Sequence, residues 1–190
     1  LITGVGEGRT TVTLSLEKDG FRKSADLLVS VFNEYSGKLE EGWKETNFGT
    51  SHGYADFRGD GTVLLRSTGE DFYGTADDGY YMYKEVNGDD VTIEMNVKSL
   101  LETSSNAAVG LTVRESASPE SRNYTIRTLR GGTVISVWRD ENGGECGYAQ
   151  HEIGSYPLKL KIEKKGSSIK SYIDFGKGYP EAYSKQMDFN

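Results

Sequence analysis

A chain of 190 residues with 24 Gly, 3 Pro and 12 Tyr has the makeup of one or two turn-rich β domains and needs no long helix. Its 22 basic and 29 acidic residues leave a formal charge of -7, which opposes binding to nucleic acid or anionic membrane and permits a neutral sugar or a cation. A single cysteine, Cys146, excludes an internal disulfide and a multi-cysteine zinc cluster, and no apolar run is long enough to insert in a membrane.

The chain opens mid-pattern at Leu1-Ile2-Thr3-Gly4, with neither a starting Met nor a signal peptide, as expected of a segment whose leader lies upstream. Thr11 to Leu16 alternates strictly, Lys18-Asp19-Gly20 supplies a hairpin turn, and Ala25 to Val31 is a second strand. Two or three strands bury no core of their own, so a domain boundary is expected near Phe32. The run from Ile2 to Thr13, a Gly-rich turn leading into a Thr/Val strand, resembles the end of a bacterial Ig-like domain of group 2. That resemblance makes residues 1–32 the closing strands of a partial Ig-like domain, a kind of unit that serves as a spacer in exported bacterial proteins.

From Asn33 onward, period-2 alternation bounded by Gly, Asn or Asp marks further strands. They are Val63 to Arg66, Tyr80 to Val86, Val91 to Val97, Val109 to Val113, Tyr124 to Leu129, Thr133 to Trp138, Leu158 to Ile162 and Ile169 to Ile173. Asn87-Gly88-Asp89-Asp90, Arg130-Gly131-Gly132 and Lys164-Lys165-Gly166-Ser167-Ser168 are the turns between them. The spacing predicts a two-sheet antiparallel sandwich over 33–190 with Leu111, Val113, Ile126, Leu160 and Ile162 in its core. Lys159, Lys161 and Glu163 then form a solvated face. Arg58-Gly59-Asp60 reads as hairpin chemistry ahead of the alternative, an adhesion triplet.

Three stretches carry a family resemblance: Asp71 to Tyr83, Asn87 to Ile93, and Ala108 to Ser116. Gly132 to Arg139, Tyr156 to Ile162 and Ser171 to Asp174 follow in the same order. The series resembles the landmarks of DUF1349-type, concanavalin A-like (laminin G-like) jelly-roll domains over about Gly37 to Tyr183. Members close with further strands carrying a Gly-aliphatic run and a final Phe strand. Against that pattern the sequence stops short at Asp188-Phe189-Asn190, as a sandwich truncated at its C-terminal end would.

The resemblance implies a secreted or cell-surface bacterial module, accessory to glycoside hydrolases, polysaccharide lyases or surface proteins, with a polysaccharide or glycan and neighbouring domains of the same polypeptide as partners. It transfers no catalytic constellation. Sugar sites combine aromatic platforms with planar polar groups, which points to Arg114, Glu115, Tyr124, Trp138 and Arg139 as the binding set. The alternatives are plain: Arg114 covering apolar surface with its head on a carboxylate, and Trp138, in phase with Val134 and Ser136, as a core aromatic. A structural Ca2+ would draw on Asp77, Asp78 and Asp89. Cys146 and His151 share a loop-like stretch in which a bystander thiol is expected over a catalytic dyad. No strand offers the alternating carboxylate pair of a glycosidase, so a non-catalytic carbohydrate-binding module is expected, with a structural spacer or adhesion module as the alternative.

Overall fold

The computed structural model describes residues 8–31, 39–101 and 103–189. The chain separates into two compact units, Leu1–Lys38 and Leu39–Asn190. The boundary expected at Phe32 and the opening at Leu1 lie outside the described residues.

In the first unit, β1 (Gly8–Lys18) and β2 (Phe21–Val31) form an antiparallel hairpin closed by Asp19 and Gly20, both in the left-handed region. Asp-Gly is the dipeptide that such a turn favours. β2 begins four residues earlier than Ala25, because the run Phe21-Arg22-Lys23-Ser24, which lacks alternation, still pairs across the hairpin with Lys18 to Ser15.

The second unit is all-β and antiparallel, a jelly-roll type of sandwich. One four-stranded sheet runs β11 (Cys146–Ile153), β10 (Thr133–Arg139), β9 (Asn123–Leu129), β8 (Ala108–Arg114). The other runs β14 (Glu181–Gln186), β13 (Ser168–Asp174), β12 (Leu158–Lys165), β7 (Val91–Val97). Two further pairs join β3 (Lys44–Phe48) to β6 (Gly79–Tyr83), and β4 (Gly53–Phe57) to β5 (Val63–Ser67).

Alternation decides which side chains enter the core. Leu111, Tyr124, Ile126 and Val134 from the first sheet meet Val97, Leu158, Leu160, Ile162, Ile169 and Ile173 from the second. Four of the five expected core residues are buried, and Val113 is partly buried against them. The outward residues of β12 behave as their charge predicts, Lys161 pairing with Glu163 at 2.8 Å on the opposite face. Arg58-Gly59-Asp60 forms the turn between β4 and β5, where Asp60 Oδ1 accepts from the Thr62 amide at 2.9 Å and its hydroxyl at 2.6 Å.

Cys146 and His151 do not lie in a loop. They belong to β11, an edge strand paired with β10 through a register shift between Thr133 and Ile135. Gly147 is what lets this edge close: it faces Trp138 across the pair, and a Cβ there would fall 2.6 Å from the indole.

Candidate functional site

The outer face of the β8 to β11 sheet carries Arg114 on β8, Arg127 on β9 and Arg139 on β10, the alternation that buries Leu111, Ile126 and Val134 having turned all three away from the core. The segment from Asp71 to Asp78 lies across them. Arg127 makes a two-pronged ion pair with Asp71, which is one-third exposed, and Arg114 and Arg139 share Asp77, at 2.9 and 2.7 Å. Gly110 makes room for this arrangement, since a Cβ there would meet the Ile126 carbonyl at 2.2 Å and the Arg127 Cβ at 2.5 Å.

Arg139 is enclosed completely, and its five N–H groups all have acceptors. Two reach the Gly74 carbonyl, at 3.2 and 3.1 Å, two reach the Pro119 and Ser121 carbonyls at 3.0 Å, and one reaches Asp77. Arg114 donates to the Ser116 carbonyl at 2.8 Å and to the Ser118 carbonyl, while its guanidinium stacks 4.9 Å from the Phe48 ring and 5.1 Å from Tyr81. Burial pushes the Tyr81 phenol up to about 12. These contacts are those of a clamp holding the 71–78 segment to the sheet, with the Arg114 head on a carboxylate.

The other expected sugar ligands are dispersed. Tyr124 faces the core, where its hydroxyl meets Ser136 Oγ at 2.9 Å and Ser171 Oγ at 2.7 Å. It is an interior residue because it shares the inward phase of Ile126. Trp138 also faces inward, partly buried, stacked on Tyr183 at 5.1 Å with Lys185 over its ring at 4.9 Å. Glu115 stands just beyond β8, accepting from Asn142 Nδ2 at 3.3 Å. Arg114, Tyr124, Trp138 and Arg139 therefore do not share an accessible rim, and the neighbouring strands that were to assemble them present them to opposite faces.

Nor do Asp77, Asp78 and Asp89 converge. Asp77 is neutralised by two guanidiniums, Asp78 accepts from Thr50 Oγ1 at 3.0 Å, and the Asp89 carbonyl accepts from Lys164. Among the described residues no group of three or more His, Cys, Asp or Glu is placed to hold a metal ion. Cys146 Sγ donates to the Gly74 carbonyl at 3.2 Å and burial pushes its thiol up, away from the reactive thiolate. His151 turns inward instead, with Nε2 2.8 Å from Ser136 Oγ, so thiol and imidazole serve different faces of β11.

What the clamp does bring to the surface is a pair of rings. Tyr73, carried by the clamped segment, and Tyr148, on the outward phase of β11, are 37% and 61% exposed, with ring centroids 6.4 Å apart and planes inclined by 65°. Gln150, exposed on the same face, lies two residues beyond Tyr148. The signal for Tyr148 was available in the sequence only to a reader who took Cys146 to Ile153 as a strand, since Tyr148 and Gln150 then alternate outward.

Among the described residues no helix is long and apolar enough to cross a membrane. Compared with family models, curated proteins and solved structures, the chain finds no match in any of the three.

Proposed function

We propose that this chain is a non-catalytic carbohydrate-binding module of the DUF1349, concanavalin A-like kind, part of a larger secreted or cell-surface bacterial protein and accessory to an enzyme that acts on polysaccharide. The observation that carries it is the exposed Tyr73 and Tyr148 pair beside the Asp71 carboxylate and the Gln150 amide. A pyranose offers an apolar C–H face to an aromatic ring and hydroxyls to planar polar groups at its edge, and this patch supplies both.

A binding rather than a hydrolytic role is supported by the sequence, in which no strand carries the alternating carboxylate pair of a glycosidase. Cys146 and His151 are separated by the sheet itself, as described above.

Tyr148→Ala and Tyr73→Ala should each weaken glycan binding by about 1 to 3 kcal/mol, the scale for losing a central aromatic from an interface. A glycan array followed by calorimetry on the folded variants tests this. Unchanged affinity in both would remove the pair from the site.

A spacer or adhesion role is the second reading. It is favoured by the outward face of the β12, β13 and β14 strands, where charges satisfy one another: Lys161 with Glu163, Lys170 with Glu181 at 2.7 Å, and Tyr172 donating to Glu163 at 2.9 Å.

A further inference from the structure

The geometry of the tyrosine pair points to the class of glycan. We infer that the ligand is a single, turning chain of neutral sugars, and not the flat surface of a crystalline polysaccharide or an acidic glycan; this rests on the carbohydrate-binding role proposed for the same site.

The two rings set the shape that the ligand must have. A crystalline polysaccharide presents a plane, and aromatic platforms that grip it must lie in one plane themselves. Tyr73 and Tyr148 are inclined by 65° at a centroid separation of 6.4 Å, so a planar ligand stacking on one meets the edge of the other. Two consecutive pyranoses of a chain that bends at its linkage present two faces at an angle, over a separation of about one ring. The backbone is held on both sides: Tyr148 by the pairing of β11 with β10, and Tyr73 between Asp71, held by Arg127, and Asp77, held by Arg114 and Arg139.

The clamp sets the charge that the ligand meets. The strand register brings three cations to this face, Arg114, Arg127 and Arg139, and every one is committed to Asp71 or Asp77. A carboxylate or sulfate on the ligand would find these three arginines already paired, and the chain's formal charge of -7 repels a polyanion at a distance. The groups left to meet the ligand are the two phenols, the Gln150 amide and the one-third-exposed Asp71 carboxylate, which suit uncharged hydroxyls.

The full chain can be tested by affinity electrophoresis and pull-down on soluble neutral polysaccharides (mixed-linkage β-glucan, laminarin, galactomannan), on microcrystalline cellulose and on polygalacturonate. The expected result is retention by at least one of the soluble neutral polymers, reduced about tenfold or more by Tyr148→Ala and preserved by Tyr148→Phe, with no retention by cellulose or polygalacturonate. Retention by cellulose or polygalacturonate that Tyr148→Ala abolishes would overturn this inference and leave the carbohydrate-binding role standing. Retention that neither Tyr148→Ala nor Tyr73→Ala alters would overturn it by placing the site elsewhere. Absence of binding to these polymers and across a glycan array would overturn both.

Discussion

Asp77 and Arg139 meet at 2.7 Å in the interior of the second unit, with 1% and 0% of their side chains exposed. The second oxygen of Asp77 holds Arg114, itself buried, at 2.9 Å. One carboxylate thus balances two guanidiniums and fastens the segment bearing Tyr73 onto the sheet.

Removing that charge alone should be severe. Asp77→Asn keeps the shape and leaves two buried guanidiniums without their shared counter-charge, which is expected to destabilise the protein by roughly 3 to 5 kcal/mol. Asp56→Asn, which breaks the solvent-facing pair with Arg58 at 3.4 Å, should change stability by less than about 1 kcal/mol. Urea unfolding of the two variants distinguishes these outcomes through the midpoint; equal midpoints would mean that the clamp contributes nothing.

Packing at the β11 edge sets a second expectation. Gly147→Ala places a methyl against the Trp138 indole, where the ideal Cβ lies 2.6 Å away, and the ring is already confined by its stack on Tyr183. Overpacking of this kind costs about 1 to 3 kcal/mol. Thermal unfolding should show the loss, and a neutral result would mean that β11 shifts freely along β10.

Stability should also depend on His151. Burial holds its pKa below the ordinary 6.5. The groups around it are the Ser136 hydroxyl and the Tyr183 ring, with the Tyr124 and Ser171 hydroxyls behind Ser136, and none of these stabilises an imidazolium by opposite charge. The unfolded chain therefore takes up the proton first as pH falls, so the stabilising contribution is complete above about 6.5 and is lost as pH drops through the folded value. Comparing unfolding midpoints between pH 8 and pH 5 for the parent and for His151→Gln checks this. The variant should show a shallower fall, and parallel curves would contradict the assignment.

Among the described residues, every buried member of the main apolar cluster lies between Val97 and Met187. Deleting residues 1–38 should leave a chain that unfolds in one cooperative transition with its m-value in the range for the second unit's size. Loss of cooperative unfolding would mean that the first unit completes the sandwich.

Strands β7 and β12 were legible because each has one buried and one wetter face. Leu158, Leu160 and Ile162 alternate with Lys159, Lys161 and Glu163, and the structure orients them accordingly. β3, β4, β11 and β14 were not legible: Lys44 to Phe48, Gly53 to Phe57, Cys146 to Ile153 and Glu181 to Gln186 are short or polar, and as outer or paired strands they pack too little to need regular apolar positions. The candidate site was obscured for a related reason. Alternation correctly sends Arg114 and Arg139 to the outward face, yet whether an outward face meets water depends on what crosses it. Asp71 and Asp77 come from a loop more than thirty residues earlier in the chain, and nothing local to the strands announces that cover. Tyr148 escaped because its strand resembled a loop.

Under the proposed function, sugar meets the protein at Tyr73 and Tyr148 and leaves uncleaved. Titrating the isotopically labelled chain with a soluble neutral oligosaccharide, and following aromatic and amide resonances by NMR, tests it most directly. The predicted result is a set of shifts concentrated on Tyr73, Tyr148 and Gln150 with the oligosaccharide intact at the end. Shifts confined to the opposite face around Lys161 and Tyr172, or the release of shorter sugars during the titration, would contradict it.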